Sequence, residues 1–260
     1  AKPLASFRYM TFDVVGTLID FEGGMISALT EIAGQQNVPL DPEEALSHYR
    51  SARYMPEALR FPDDLERVYM VIAPKLGLKP DPDCAARFRN SVPDWTGFPD
   101  SAEALASLAK THRLIAMTNA QRWAFEHSNK ALGSPFYAAF TTDDTGTEKP
   151  DPAFFEKVFE FVEAEGGKVL GAIKHPFPSS DFSSFVLQAQ ASGAKVVGLA
   201  NAGADTVNAI KAANEFGLVA AGQSIAALLT FITDIHALGL DTAQGIQLTT
   251  GFYWDLNDET

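Results

Sequence analysis

The stretch Tyr9-Met-Thr-Phe-Asp13-Val-Val-Gly16-Thr17-Leu18 decides how this chain is read. An apolar run of strand character stops at an acid, and a glycine-containing turn follows. In open α/β sheets the crevice beyond the carboxyl ends of the strands is where ligands bind. Asp13 therefore stands where a reacting group would. A carboxylate there can attack carbon or phosphorus and form an ester intermediate. An aspartate at that place also caps a turn through its own side chain, and both readings stay open. Working outward, residues 8–15 read as a buried strand and 22–36 as a helix. Asp41-Pro42-Glu-Glu opens a second helix, with Asp41 as N-cap and Pro42 in the first turn. Helical spacing continues through 43–59, 63–77 and 81–90, so residues 20–94 read as a helical insert. Ser101 to Lys110 is another helix. Arg113-Leu-Ile-Ala-Met-Thr-Asn119 is a second buried strand that ends in polar groups. Gln121 to Leu132 reads as helix, 138–142 as a short strand, and Asp151 or Pro152 as the start of a helix to about 163.

Glu165-Gly-Gly-Lys168 is a joint. Beyond it the pattern becomes a regular alternation, with strands at 168–174, 195–200, 226–232 and 246–253. Helices are expected at 181–191, 204–215 and either 222–225 or 239–244. Such alternation implies a parallel sheet with helices on both faces. The expected class is α/β: a three-layer, Rossmann-like, mostly parallel sheet with a helical cap inserted after the first strand. The expected strand order is 138–142, 113–118, 8–13, 168–174, 195–200, 226–232, 246–253.

With 260 residues, 46% of them hydrophobic, the chain can bury a large core. Its net charge of -13 argues against nucleic acid or an anionic membrane as partner. A single cysteine, Cys84, excludes an intrachain disulfide. No stretch has the length and apolarity of a membrane span, and no charged-then-apolar leader opens the chain, so a cytoplasmic location is expected. The sequence carries no signal for an oligomeric state.

The opening residues resemble haloacid dehalogenase-superfamily (HAD) hydrolases, and three of that family's four spaced motifs have counterparts. They are Asp13-Val-Val-Gly16-Thr17-Leu18, Thr118-Asn119 at the tip of the 113–118 strand, and Glu148-Lys149-Pro150-Asp151-Pro152. The resemblance implies that Asp13 is the nucleophile. Thr118 and Asn119 would hold the intermediate, and Lys149 would neutralise the nucleophile and the leaving charge. Phosphatases of this superfamily carry a second acid two residues after the nucleophile. Here Val15 stands there, and a valine moves no protons. Haloacid dehalogenases lack that acid as well, because a halide leaves without a proton, and they need no metal. The resemblance thus favours a small carboxylate substrate, no cofactor, and a cap formed by 20–94. Arg50, Arg53 and Arg60 are the candidates to bind the substrate carboxylate, although solvated helix faces explain each of them equally. Trp95 and Trp123 could line an apolar pocket or simply fill the core. For the fourth motif, Asp181 falls at the expected spacing. It could hold Lys149, or a magnesium ion together with Asp13. It could equally cap the helix 181–191.

From Lys168 a second resemblance takes over. Lys168-Val-Leu-Gly-Ala-Ile-Lys-His175-Pro-Phe-Pro-Ser-Ser-Asp181, followed by Ala189-Gln-Ala-Ser-Gly-Ala-Lys-Val-Val-Gly-Leu-Ala-Asn201-Ala-Gly203, resembles one lobe of a type I periplasmic solute-binding protein of the branched-chain amino acid and amide class. Its ligand-facing loops would be Ser179-Ser180, Asn201-Ala-Gly203, Thr233-Asp234 and Phe252-Tyr253-Trp254. With one lobe a closed cleft is not expected. His175 and His236 have no ligand-spaced partner and are not read as metal ligands. The expected organisation is a HAD-like core of 1–19 and 95–165, a cap of 20–94, and a solute-binding-like fragment of 166–260 that completes the core sheet. The functional expectation is an engineered chimeric scaffold with little or no native activity. The alternatives are a haloacid dehalogenase-type hydrolase and a solute-binding module for small amides or amino acids.

Overall fold

The computed structural model describes residues 7–201, 203–227 and 230–247. Its contacts divide the chain into two compact units, Asp13–Glu148, and Ala1–Phe12 with Lys149–Thr260.

In the Asp13–Glu148 unit the helices are α1 (Phe21–Gln35), α2 (Pro42–Arg53), α3 (Asp64–Ile72), α4 (Pro82–Asn90), α5 (Ser101–Leu108), α6 (Arg122–Ala131) and the single turn α7 (Thr142–Thr145). Its strands are β2 (Arg113–Met117) and β3 (Phe136–Phe140). Three of the helices start where an aspartate accepts a backbone N–H: Asp20 from Gly23 (2.9 Å), Asp41 from Glu44 (3.0 Å) and Asp81 from Asp83 (2.7 Å). Such caps satisfy donors that the helix cannot. Met25, Leu29 and Ile32 recur on one face of α1, and Leu65, Val68, Tyr69 and Ile72 on one face of α3, and all are buried. Each such side chain contributes roughly 1.5–3 kcal/mol on burial. The helical insert enters and leaves through a two-stranded bridge: Asp20 N donates to Thr96 O (2.9 Å) and Phe98 N to Leu18 O (3.0 Å). β2 and β3 are parallel, pairing Ala116 with Ala139 and Met117 with Phe140, with an irregularity between Leu114 and Ile115.

The other unit contains β1 (Tyr9–Phe12), α8 (Pro152–Ala164), α9 (Ser183–Ala191), β4 (Val196–Leu199), α10 (Ala204–Glu215), β5 (Ser224–Ala227), α11 (Ile232–Leu238), α12 (Leu240–Ala243) and β6 (Ile246–Gln247). Tyr9 stacks edge-on to Phe161 (6.1 Å) and its hydroxyl donates to Glu165. β4, β5 and β6 form a parallel sheet in that order. Its core is Phe182 and Val186 of the α9 segment, Ala209, Ala212 and Ala213 of α10, then Leu218 and Ile225.

The α/β class with parallel strands and many helices stands, but the single continuous sheet does not. No strand forms at 168–174, and β1 lies outside the β4–β6 sheet. Leu170 and Ile173 are 44% and 43% exposed, so the apolar run is extended without ladder partners. A short apolar run signals burial only if a neighbouring strand exists to receive it. The strand expected at 138–142 begins and ends two residues earlier, because Thr141 starts α7 by a reciprocal capping box with Asp144. Of the strand expected at 226–232, residues 228 and 229 lie outside the described residues, and β5 spans Ser224–Ala227. At 232–238 a helix forms instead, with Asp234 accepting the Phe231 N–H (2.8 Å). Residues 248–253, including Phe252 and Tyr253, and Trp254 lie outside the described residues, as does Ala202.

Candidate active site

Asp13 follows β1 directly and is half-buried. The turn beyond it closes on one carbonyl: Leu18 N (2.8 Å) and Ile19 N (3.0 Å) both donate to Val14 O. Gly16 sits at φ +86°, where a side chain would be strained. The turn brings Thr17 back so that its hydroxyl donates to the Asp13 carboxylate at 2.8 Å. This bond orients one carboxylate oxygen. Thr17 lies in the motif quoted above, but the sequence assigns it no role. Val15 supplies no donor atom beside Asp13 and no proton.

Thr118 is the first residue past β2 and is 1% exposed. Its amide donates to Phe140 O (2.9 Å), and its hydroxyl accepts the Ala120 N–H (3.2 Å). Asn119 is half-buried in the bend that follows. Asp13, Thr118 and Asn119 each follow a strand end and belong to the Asp13–Glu148 unit. Lys149 and Asp181 belong to the other unit. Lys149 is half-buried in the turn before α8, whose first turn Asp151 caps through the Ala153 N–H (2.9 Å).

Asp181 accepts the Ser183 N–H at 2.9 Å, so its carboxylate caps α9. That backbone bond, with the Ser183 hydroxyl, holds its carboxyl below the usual carboxylate range. Neighbouring loops are tied to each other. Both oxygens of the buried Asp205 accept the Ser179 N–H (3.1 and 3.2 Å), His175 lies 3.6 Å from the same carboxylate, and Thr206 donates to Asn201 (3.0 Å). Among the described residues no three His, Cys, Asp or Glu side chains converge, and the Asp181 carboxylate, the candidate to share a magnesium ion with Asp13, is engaged by Ser183 N.

The three arginines have separate partners. Arg50 is exposed and pairs with Glu22 (3.1 Å). Arg53 pairs with Glu148 (3.2 Å) and Arg60 donates to the carbonyls of Thr142 (3.4 Å) and Gly146. The same part of the insert meets the loop after β2. Gln121 N donates to Phe61 O (2.9 Å) and Gln121 Nε2 to Asp63 (2.9 Å), and Asp63 is held by Arg89 (2.6 Å). Desolvation opposes ionisation of Asp63, but the bonds from Arg89 and Gln121 outweigh it and hold its carboxyl below its ordinary range. Phe21, Tyr49, Phe61 and Trp95 pack with ring centroids 5.2–6.0 Å apart. Burial pushes the Tyr49 hydroxyl up to about 12. Trp95 is thus a core residue next to α1, and Trp123 carries the Arg89 guanidinium over its ring at 4.4 Å. Only the tryptophans of these two groups stand out in the sequence; Phe21, Tyr49 and Phe61 are scattered over 40 residues and signal nothing singly.

The periplasmic binding protein family matches residues 153–260 of this chain. Among solved structures, the fold is similar to the L-2-haloacid dehalogenase PA0810, at 18% identity and a TM-score of 0.57, covering 96% of this chain and 93% of that one. It is similar to the L-2-haloacid dehalogenase from Xanthobacter autotrophicus with chloropropionic acid covalently bound, at 17% identity, a TM-score of 0.54, and coverage of 93% and 85%. The HAD-hydrolase YfnB from Bacillus subtilis, bound to magnesium, gives 16% identity, a TM-score of 0.53, and coverage of 89% and 98%. No curated protein matches. The fold is thus similar to that of these solved structures, and residues 153–260 match the periplasmic binding protein family model.

Proposed function

We propose that this chain is an engineered chimera in which a haloacid dehalogenase-type nucleophile site is joined to a fragment of a solute-binding protein, and that it turns over slowly or not at all. The observation that supports this reading is the capping bond of Asp181 to Ser183 N. The only acid at fourth-motif spacing is engaged by its own helix, in a stretch that matches another family. In the proposed chemistry the Asp13 carboxylate attacks C2 of a 2-haloacid, the carbon–halogen bond breaks, and halide leaves with the bonding pair. Thr17 orients Asp13, and Lys149 offsets the charge. Water must then attack the ester carbonyl and lose a proton to a base. Pro176 and Pro178 shape that loop differently, and a misplacement of about 1 Å costs on the order of 100-fold in rate. The domain division into core, cap and 166–260 fragment, the small carboxylate substrate and the cytoplasmic location belong to the same proposal. Magnesium, present in the Bacillus subtilis relative, has no place in it, since Val15 stands where a second acid would be needed.

A second reading, binding of small amides or amino acids, draws on the family match at 153–260. The bonds among Ser179, Asp205, Asn201 and Thr206 count against it, because the loop polar groups already serve one another. The deciding experiment measures halide release from 2-chloropropionate beside a mass-spectrometric search for an adduct on Asp13, with Asp13→Asn as control. The expected result is an adduct without sustained turnover. Sustained turnover at ordinary enzyme rates would refute the impaired-hydrolase reading. Absence of both signals would refute the Asp13 chemistry. Calorimetric titration with leucine or an aliphatic amide tests the second reading, and a micromolar dissociation constant would establish it.

A further inference from the structure

We infer that Arg53 and Arg60 form a latch that positions the Thr142–Glu148 loop, the segment leading directly into Lys149, and that they do not bind a substrate carboxylate. This rests on the reading of Asp13 and Lys149 as the reacting pair. Arg53 stands at the C-terminal end of α2. Its Nη2 meets Glu148 Oε2 at 3.2 Å, its Nη1 donates to Leu59 O at 3.4 Å, and the buried Asp64 lies 4.0 Å away. Arg60 reaches across to the single turn α7, donating to the carbonyls of Thr142 (3.4 Å) and Gly146. Those two carbonyls bracket the turn.

The first turn of the loop is also held from the start of α6, where Thr142 N donates to Ala120 O (3.2 Å), Arg122 N to Asp143 (2.6 Å) and the Arg122 guanidinium to Asp144, whereas the bonds around its exit are short-range. Gly146 N donates to Thr142 O (2.9 Å), and the Thr145 hydroxyl donates to Thr141 O (2.9 Å) and Thr147 O (2.8 Å). A four-residue turn is too short to be stable on its own. Arg122 supports its acidic first turn, while Arg60 adds bonds at both of its ends and Arg53 an ion pair at its exit. Both Nη atoms of each arginine are engaged, so neither presents the free two-pronged fork that a carboxylate requires. Arg50 is the contrast: 59% exposed, it pairs with Glu22 and, among the described residues, has no bond to the loop.

The test uses hydrogen exchange of the intact chain, followed at residues 142–147 in the wild type, Arg53→Ala, Arg60→Ala, the double variant and Arg50→Ala. The latch predicts exchange at least about 10-fold faster in the double variant and unchanged in Arg50→Ala. Equal protection in the double variant and the wild type would overturn it. Should the double variant fail to fold, Glu148→Gln removes only the charge that pairs with Arg53 and must still loosen 142–147; unchanged protection there would equally overturn the ion-pair half of the latch. A second readout is adduct formation on Asp13 with 2-chloropropionate. A latch lowers the maximal rate of adduct formation at an unchanged half-saturating concentration, and Lys at both positions restores part of it. A raised half-saturating concentration with normal exchange would instead make the arginines substrate ligands. Faster exchange together with no adduct in any protein would support the latch and refute the Asp13 reading alone.

Discussion

Asp64→Ala tests whether the turn between α2 and α3 is built around a buried charge. Asp64 is 1% exposed. Its carboxylate accepts two bonds from Arg67 (2.7 and 2.9 Å) and one from the Leu59 amide (2.7 Å). The bonds from Asp64 hold the Arg67 guanidinium above its ordinary range. Removing one partner of a buried pair costs about 3–5 kcal/mol, because the other charge stays behind without compensation. Two features pull the figure to the low end. Arg67 keeps a bond to Ala52 O (2.9 Å) and is 17% exposed, and Leu59 is exposed enough for its amide to find water. We expect a loss of about 3 kcal/mol, and at roughly 2–4 °C per kcal/mol a fall in Tm of about 6–12 °C. Asp64→Asn preserves an acceptor for Leu59 and should lose about half as much. The assay is thermal melting followed by circular dichroism at neutral pH, with urea titration to compare midpoints. A Tm within about 2 °C of the wild type for Asp64→Ala would refute the buried-pair reasoning, since a solvated aspartate loses little on truncation.

Acid sensitivity follows from Asp63 and Asp144. For Asp144, desolvation opposes ionisation, but bonds from Arg122 and Thr141 outweigh it and hold the carboxyl below its ordinary value. A depressed folded-state pKa gives stability that is present above the unfolded value and lost as pH falls through the folded one. Tm should therefore drop as pH falls below about 4, and Asp63→Asn with Asp144→Asn should flatten that drop in melts between pH 5 and 2. Gly24→Val should destabilise by roughly 1–3 kcal/mol in urea titration, because a Cβ there meets the Trp95 ring at 2.5 Å. Thr17→Val should slow adduct formation on Asp13 by about 10-fold or more without moving Tm downward by more than a few degrees. Asp181→Ala should lower helicity through loss of the α9 cap and leave adduct formation unchanged; slower adduct formation would show that Asp181 serves the site.

The helical insert was legible because its signals are local. Asp41-Pro42 and Asp81-Pro82 announce helix starts, and Met25, Leu29 and Ile32 repeat at helical spacing. The strand end near Met117 was legible for the same reason, as an apolar run stops at polar residues, whereas the buried strand expected at 8–15 is only Tyr9–Phe12, with Phe12 alone buried. The segment 168–174 was not. Its apolar content is what a buried strand needs, but burial depends on a partner strand, and nothing within the segment encodes whether one is available. The arginines show a second limit. Arg50, Arg53 and Arg60 are alike in sequence context, and only the fold distinguishes one that faces Glu22 from two that grip residues more than eighty positions away. Asp181 was ambiguous for a related reason, as an N-cap and a catalytic acid use the same side chain just before a helix.

The extended stretch 168–176 makes the chain modular. Its backbone enters no ladder and most of its residues are exposed, so added residues there displace neither a sheet bond nor a core side chain. Insertion tolerance follows backbone commitment rather than position in the sequence. An affinity tag or a reporter domain spliced between Gly171 and Ala172 can thus be carried while the α9–β6 core keeps its packing. A protease site built at the same place offers a controlled way to cut the chain ahead of the α9–β6 core, so that each piece can be studied for what it retains alone.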